Sequence, residues 1–185
     1  MTCQTRAENE TILPGALSGI RVIEMADEQA EYCGLTLAGL GADVVKVEAP
    51  GGNSTRKIGP FYNDQEDPEG SLFFWQYNRG KRSIELDLNQ ERDRAQFETL
   101  LSSSDIFLES TPKGELDTFE LGSKVLAERF PALIHARMTP FGDEGPWSDY
   151  KASDLVHLAL GGVMMNCGYD PTPDGKYDLP PIAPQ

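Results

Sequence analysis

Residues 20–48 read IRVIEMADEQAEYCGLTLAGLGADVVKVE, and this stretch decides the fold class. Residues 20–25 are short, apolar and β-branched, which predicts a buried strand. Small and apolar residues recur at helical spacing over 28–40, and Gly41 ends this predicted helix before a second apolar strand over 42–48. A strand, a helix and a strand in so short a span require a right-handed crossover between parallel strands.

The same alternation continues toward the C-terminus. Further strands are predicted over 83–88, 106–109 and 132–138, and further helices over 90–101, 123–130 and 154–160. Residues 49–70 form a long loop rich in Gly, Pro and Asn, and such loops in compact domains are usually functional or disordered. The predicted fold is α/β, a Rossmann-like open, mostly parallel, doubly wound sheet.

Three regions are expected along the chain. Residues 1–16 are predicted to be a flexible lead-in, 17–169 a Rossmann-like domain and 170–185 a proline-rich tail. The tail has no periodicity and is a poor end for a domain, which suggests that the natural chain continues.

Composition excludes several classes of function. The net charge is −14, with 30 acidic against 16 basic residues, whereas a nucleic-acid partner requires a basic face. No stretch approaches the roughly 20 apolar residues of a membrane span, and the polar N-terminus lacks an apolar signal core. Cys3, Cys33 and Cys167 are widely spaced, which argues against a zinc site and indicates a reduced, cytoplasmic chain.

Ligands of open parallel sheets bind beyond the carboxyl ends of the strands. The first strand-to-helix turn, residues 26–30, reads ADEQA and contains no GxGxxG motif. Two carboxylates stand where a pyrophosphate would need free amides, which argues against a classical nicotinamide or flavin site. The sequence also lacks GxxxxGK[ST], which excludes a P-loop.

Five cationic side chains are concentrated in the first half of this acidic chain. They are Arg56, Lys57, Arg79, Lys81 and Arg82. Such a cluster could clamp phosphates. It could instead be a solvated face that balances the nearby carboxylates of residues 66–69, which is what composition alone favours.

Four blocks resemble, in order and spacing, successive signatures of the family III CoA-transferases (CaiB/BaiF type), the group of formyl-CoA transferase and α-methylacyl-CoA racemase. The blocks are LSGIRVIE at 17–24, LAGLGADVVKVEAP at 37–50, NRGKRSIELDL at 78–88 and LIHARMTPFG at 133–142. The resemblance runs to residue 185 and implies a Rossmann-like large domain and two chains interlocked as a homodimer. It also implies that CoA or acyl-CoA is a substrate and that no cofactor is bound permanently.

Family members move CoA between carboxylic acids, or racemise or isomerise acyl-CoAs. In the transferases an aspartate attacks the thioester to form a mixed anhydride, and CoA thiolate returns to give an enzyme-bound thioester. That aspartate follows a Pro-Pro pair, here Pro180-Pro181, and the chain ends at Gln185 before its position. We therefore expect no catalytic residue in residues 1–185, weak or no CoA binding and no transfer by them alone. The alternative is a noncatalytic CoA-binding or assembly subunit.

The resemblance also implies a set of CoA contacts. They are Gln29 and Ala30 at the thioester; Leu86, Asp87, Leu88 and Asn89 at the adenine and ribose; Ser110, Thr111 and Pro112 beside the nucleotide; Lys151 and Asp154 near the pantetheine and reaction centre; and Arg56 as a further candidate. Ordinary alternatives remain open, namely a surface Gln at a helix start, plain strand ends, and Asp154 as a helix cap.

Two histidines and one serine bear on the racemase branch. Racemases have a His-Asp pair at positions 153 and 154, but Ser153 cannot remove an α-proton, so racemisation is disfavoured. His135, on a buried strand, and His157, packed on a helix, are both predicted to be structural.

The pattern of apolar residues also predicts a partner. Strand 132–138 and the apolar run 155–165 need a cover that the predicted helices do not supply. Exposed apolar surface of this kind marks association. We expect the cover to be the protein's own C-terminal part or a second copy.

Overall fold

The computed structural model describes residues 15–168 and 170–176 of the 185-residue chain. The strands are β1 (Arg21–Met25), β2 (Asp43–Glu48), β3 (Arg82–Glu85), β4 (Ile106–Glu109) and β5 (Ile134–Arg137). The α-helices are α1 (Glu31–Gly39), α2 (Leu72–Asn78), α3 (Glu91–Ser102), α4 (Ser123–Arg129) and α5 (Asp154–Leu160). Short 3-10 helices occupy Ser54–Lys57, Tyr62–Asp64, Leu116–Phe119 and Val163–Asn166.

The five strands form one parallel sheet in the order β3-β2-β1-β4-β5, which confirms the predicted fold class. In the register, Val22 lies opposite Val44 on one side and Ile106 on the other. The chain builds outward from β1 to β3 and then returns to the other side of β1 to add β4 and β5. The topological switch point therefore lies between β1 and β4, and this is where an open α/β sheet binds its ligand.

Helices cover the two faces of the sheet. One face packs small residues of α1, such as Cys33 and Ala38, against the cluster that contains Val22 and Val44. The other face packs Phe97 of α3 against Phe107 of β4, edge to face with ring centroids 5.6 Å apart. Both phenyl rings are fully buried, and each such burial stabilises the fold by about 1.5–3 kcal/mol.

The predicted third strand, residues 83–88, ends three residues too late and begins one residue too late, since β3 is Arg82–Glu85. The Asp87 carboxylate accepts hydrogen bonds from the backbone N–H (3.0 Å) and side-chain amide (2.9 Å) of Asn89. The Gln90 N–H also donates to the Asp87 carbonyl at 2.8 Å. An Asp that hydrogen-bonds two residues ahead favours a turn, and here that local preference ends the strand.

Helix α2 has no counterpart in the sequence prediction, which left residues 72–78 unassigned. Ser71 precedes it in an extended conformation, and its hydroxyl accepts the Phe74 N–H at 3.1 Å. Serine is among the best N-cap residues because it satisfies one of the free N–H groups of the first turn. The cap at Ser71 was therefore the signal that sequence reasoning missed.

The described residues group into two compact units, one ending at Met138 and one beginning at Thr139. In the second unit, the Ser153 hydroxyl accepts the Val156 N–H at 3.4 Å, so Ser153 is the N-cap of α5. The alternative that Asp154 caps this helix is wrong, because Asp154 is already the first helical residue. Within the described residues, none of the helices is both long and apolar enough to cross a bilayer.

Candidate functional site

The carboxyl ends of β1 and β4 are joined directly by two side chains. The Asp27 N–H donates to the Ser110 hydroxyl oxygen at 2.9 Å, and that hydroxyl donates back to the Asp27 carboxylate at 2.7 Å. Asp27 follows β1, and Ser110 follows β4. This reciprocal pair lies at the topological switch point and fixes the spacing of the two strand ends there.

In the turn after β1, Gln29 is accessible to a ligand and the side chain of Ala30 is not. The Asp27 carboxylate accepts the Gln29 N–H at 3.1 Å, and the Asp27 carbonyl accepts the N–H groups of Ala30 and Glu31. Residues 28–30 are therefore a turn, and the helix predicted from residue 28 begins at Glu31. The Gln29 side chain is exposed, whereas Ala30 is buried. A ligand at this turn would meet the Gln29 side chain and backbone atoms of Ala30.

A buried carboxylate organises the end of β4. Glu109 is fully buried, and its carboxylate accepts the Thr111 N–H (2.8 Å), the Thr111 hydroxyl (2.5 Å), an Arg137 N–H (2.7 Å) and a contact from His135 Nε2 (3.1 Å). Burial would raise the pKa of Glu109, but these hydrogen bonds outweigh it and lower the pKa. The carboxylate thereby holds the segment after β4 in one conformation.

His135 has the structural role that the sequence predicted. Its ring stacks on Phe107 with centroids 5.2 Å apart, and its Nε2 lies against Glu109. His157 is different, because its side chain is exposed, with Nε2 3.2 Å from the Pro140 carbonyl oxygen and the ring edge-on to Phe141. The predicted packing of His157 is therefore found, against Phe141, although the histidine itself is exposed.

The segment after β3 divides into core and surface residues. Leu86 and Leu88 are buried in the main hydrophobic core, so only their backbone atoms could reach a ligand. The Leu88 carbonyl already accepts an Arg94 N–H at 2.8 Å. Asp87 is half-buried and Asn89 exposed. Hydrogen bonds from Asn89 lower the pKa of Asp87 and keep its carboxylate charged at the sheet edge.

Arg56 lies beside the end of β2 and is already engaged by acids. Its guanidinium bonds the Glu48 carboxylate through Nε (2.6 Å) and Nη2 (2.8 Å), and Glu69 through Nη1 (2.9 Å). It also stacks 3.8 Å from the centroid of the Phe74 ring. Burial would raise the pKa of Glu48, but the hydrogen bonds, led by Arg56, lower it to about 2. Arg56, Glu48 and Glu85 line a polar cleft of about 330 Å³ at the ends of β2 and β3.

The basic cluster divides between the surface and the interior. Arg56 pairs with Glu69, as the solvated-face alternative predicted, and Lys57 and Arg79 are exposed. Lys81 is buried and bonds Glu24 and the Asn78 side chain, each at 2.8–2.9 Å. Arg82 pairs with Asp43, on the strand next to its own. A phosphate clamp at Lys81 is therefore wrong, because its ammonium group is enclosed and held by the protein's own acceptors.

Lys151 and Asp154 lie in the second compact unit and are both exposed. Their predicted contacts with CoA stay predictions. Asp27 hydrogen-bonds both Gln29 and Ser110, so the turn that carries Gln29 and Ala30 is linked to the segment after β4. Residues 86–89 follow β3, two strands from β1 and hence about 10 Å away across the sheet.

A buried group of four charges is the feature that sequence reasoning missed. We call Glu24, Glu31, Lys46 and Lys81 the charge cluster; their side chains are 0–1% exposed. The Lys46 ammonium lies 3.1 Å from Glu24 and 2.8 Å from Glu31, and the Lys81 ammonium lies 2.8 Å from Glu24. Glu24 and Lys46 stand opposite each other in the β1–β2 register. Writing the two predicted strands in parallel register would have revealed this pairing.

Comparison with known proteins identifies the family. The profile of CoA-transferase family III matches residues 17–182. The chain is 39% identical over 153 residues to the succinyl-CoA:(R)-benzylsuccinate CoA-transferase subunit BbsE of Thauera aromatica, covering 83% of this chain and 37% of that protein. It is 38% identical over 167 residues to the succinyl-CoA:mesaconate CoA-transferase of Haloarcula hispanica, covering 88% of this chain and 42% of that protein.

A solved structure agrees with these sequence comparisons. A CAIB/BAIF family protein from Brucella suis superposes with a TM-score of 0.80 at 34% identity, over 92% of this chain and 43% of that one. The chain thus spans about two fifths of the length of the relatives that it matches. On the profile match, the identities and the shared sheet, the chain belongs to CoA-transferase family III.

Proposed function

We propose that the whole protein transfers CoA between an acyl-CoA and a free carboxylic acid. The observation that carries this proposal is the direct link between the predicted thioester turn and the predicted nucleotide segment. Asp27 and Ser110 join these two segments at the topological switch point, which is where the fold binds ligands. The relatives named above are CoA-transferases and support the same reaction class.

In this proposal the described residues bind and orient CoA. Gln29, exposed on the turn after β1, contacts the thioester end with its side-chain amide. Asp87 and Asn89 face the adenine and ribose, and Thr111 and Pro112 flank the nucleotide. Polar side chains on rigid strand ends suit this role because they lose little conformational freedom on binding.

The chemical step in the proposal is carried by an aspartate, as in the family. Its carboxylate attacks the thioester carbonyl, the C–S bond breaks, CoA leaves as the thiolate, and the acyl group stays on the aspartate as a mixed anhydride. The thiolate then attacks the aspartyl carbonyl and releases the first carboxylic acid. The incoming acid reverses the two steps, so atoms and charge balance without a further reagent. We propose no residue among those described here for this nucleophile.

Binding can be tested on the 185-residue chain by two-dimensional amide NMR during titration with CoA. Weak binding is expected, with resonances of Gln29, Asn89, Ser110 and Thr111 shifting in a concentration-dependent way. NAD serves as the control, since it shares the adenylate and lacks the pantetheine thiol. Shifts of equal size with NAD, or shifts confined to residues away from these strand ends, would contradict the proposal.

Activity can be tested on the whole protein with succinyl-CoA as the first donor, because both named relatives use it. Isotopically labelled carboxylic acids would be the acceptors, with labelled acyl-CoA measured by mass spectrometry. Hydroxylamine should trap an acyl-enzyme on an aspartate. A nucleophile mapped to any other residue type would overturn the mechanism, and hydrolysis without transfer would overturn the reaction class.

A second candidate is a noncatalytic CoA-binding or assembly subunit. One observation favours it, namely that the Thauera aromatica relative is named as a subunit of its transferase. The two candidates differ in a purified preparation of the whole protein. Transfer by that preparation alone supports the catalytic reading, whereas transfer only after addition of a second, related chain supports the subunit reading.

We also propose that a second copy or the protein's own C-terminal part covers apolar surface left open here. Ile134 on β5 is 63% exposed, and Leu155 and Leu160 on α5 are 53% and 60% exposed. Apolar surface of this kind favours association. A cytoplasmic location suits the free thiols of Cys33 and Cys167. Light scattering that finds a strictly monomeric whole protein would exclude the homodimer.

A further inference from the structure

The charge cluster lies directly beneath the turn after β1. The Lys46 ammonium donates to the Ala26 carbonyl at 2.7 Å, the shortest of its contacts, and also bonds Glu24 and Glu31. The Asn53 side-chain amide donates to the same Ala26 carbonyl at 2.9 Å. The first residue of the turn is thus held by two donors, and one of them is a fully buried ammonium.

The cluster also holds the far end of the turn. Glu31 is the first residue of α1, and its carboxylate accepts both the Lys46 ammonium and the Thr55 hydroxyl, the latter at 2.7 Å. Thr55 is fully buried. Lys46 therefore bridges Ala26, at the start of the turn, and Glu31, at its end. Asn53, Ser110 and Lys81 hold single points of the same segment, at the carbonyls of Ala26 and Glu31 and at Asp27, but none of them joins its two ends.

Burying the charge cluster costs desolvation free energy, which implies a role beyond packing. Two carboxylates and two ammonium groups leave water, and buried pairs are often no more stabilising than apolar side chains of the same size. Their directional bonds fix the conformation of the segments they join, which apolar contacts do not. Here the segments joined are the turn after β1, the start of α1, and Thr55 in the loop after β2.

We propose that Lys46 is a positioning residue that sets the shape of the turn carrying Gln29. It acts through the Ala26 carbonyl and Glu31 and has no contact with the ligand itself. The expected effect on ligand binding, the correct placement of Gln29 against CoA, rests on the proposed function. The structural part of the proposal, the rigidity of residues 26–31, can be measured without any ligand.

The test compares two double variants that each remove one positive and one negative charge. The Glu31→Gln, Lys46→Met variant keeps the cluster neutral and removes the bond to Ala26. The matched control, Glu24→Gln, Lys81→Met, also keeps it neutral and leaves Lys46 bonded to both Ala26 and Glu31. It removes the 2.9 Å bond from Lys81 to the Glu31 carbonyl, which lies inside α1 and does not accept from the N–H groups that report on the turn. Neutrality matters because a single Lys46→Met change would leave an uncompensated buried carboxylate and could prevent folding.

Amide hydrogen exchange is the primary measurement, with the N–H groups of Ala30 and Glu31 as reporters, since both donate to the Asp27 carbonyl. Relative to amides of β4, they should exchange about tenfold faster in Glu31→Gln, Lys46→Met, the loss expected for one charge-assisted hydrogen bond. In the control the same ratio should change by less than about twofold. Equal acceleration in both double variants, or none in either, would overturn the proposal.

CoA titration by amide NMR then separates this inference from the proposed function. The Glu31→Gln, Lys46→Met variant should need about three- to tenfold more CoA for the same shift of Gln29, and the control should match the unmodified chain. If CoA shifts in the unmodified chain fall only on residues away from these strand ends, the proposed CoA contacts fail while the exchange data still decide the role of Lys46. If CoA binds equally to all three chains, the positioning role fails while the proposed function stands.

Discussion

Replacing Gly34 by alanine should be far more damaging than its chemistry suggests. Gly34 lies in the middle of α1, where alanine is normally the better helix former by about 0.5–1 kcal/mol. A Cβ atom at this position would stand 1.5 Å from Glu24 Oε2 and 3.1 Å from the Lys81 ammonium. The glycine thus provides the space in which the charge cluster meets the helix backbone.

The size of the destabilisation depends on which group must move to make room for the new Cβ atom. A separation of 1.5 Å cannot be relieved by small adjustments, so either the Glu24 carboxylate leaves Lys81 or α1 moves away from the sheet. Breaking a buried ion pair typically costs about 3–5 kcal/mol, and overpacking alone costs about 1–3 kcal/mol. We expect Gly34→Ala to lower the free energy of unfolding by about 3 kcal/mol. For a chain of this length that is a fall in Tm of about 6–12 °C.

Gly39→Ala is the matched control, since it lies on the same helix and no heavy atom stands within 4 Å of its added Cβ. It should be neutral or stabilising by a few tenths of a kcal/mol. Urea unfolding followed by circular dichroism at the helix band measures both variants, and unchanged slopes would show that only stability differs. If Gly34→Ala unfolds at the same urea concentration as Gly39→Ala, the close contact between Glu24 and α1 does not exist in solution.

Acid should weaken the fold through Glu48, whose pKa of about 2 lies below its ordinary value of 4.5 because hydrogen bonds, chiefly from Arg56, outweigh burial. The stabilisation from the ionised Glu48 carboxylate is complete above about pH 4.5 and is lost as the pH falls through about 2. The full pKa shift corresponds to about 3 kcal/mol. Because solvent near Arg56 screens the interaction, we expect a contribution of about 1–2 kcal/mol. Arg56→Met should flatten the pH dependence of urea unfolding over this range, and an unchanged curve would contradict the assignment. Ser110→Ala removes both bonds to Asp27 and should cost about 1 kcal/mol or more, whereas Ser102→Ala on the exposed surface of α3 should cost less; equal losses would show that the link across the switch point is not special.

The strands were predictable because their apolar runs are local and strong. β4 lies at the predicted residues 106–109, and β1 and β2 begin one residue after the predicted starts. The crossover rule then gives the parallel sheet from residues 20–48 alone. The ends of elements were less predictable, as for β3, because the few hydrogen bonds of one residue, Asp87, decide where the strand stops.

The partners of charged residues were not predictable in the same way. Lys81 is adjacent in sequence to Arg82, and both read as surface cations near an acidic loop. In the fold their side chains have different partners: Lys81 lies in the charge cluster, and Arg82 forms a salt bridge with Asp43. Their acceptors, Glu24 and Asp43, are 57 and 39 residues away. Only the sheet order brings them together, and a pattern read along the chain does not contain that order.

The acids at the strand ends bear on the kind of ligand proposed for this sheet edge. A classical dinucleotide site binds the pyrophosphate with free backbone N–H groups at the end of a strand. In this protein three such N–H groups are already taken by a carboxylate two residues earlier. The Gln29 N–H donates to Asp27 (3.1 Å), the Asn89 N–H to Asp87 (3.0 Å) and the Thr111 N–H to Glu109 (2.8 Å).

A pyrophosphate at these strand ends would have to displace a carboxylate of like charge from each N–H group. That exchange gains no hydrogen bond and brings two anions together, which is unfavourable at any distance within the Debye length of about 8 Å. The carboxylate of Asp27, in the turn at residues 26–30, is thus one of three strand-end carboxylates that each accept the N–H group two residues later. A ligand that lays uncharged groups across this edge and keeps its phosphates in solvent or on other side chains meets no such repulsion. The adenine, ribose and pantetheine arm of CoA, in the placement proposed above, are groups of that kind.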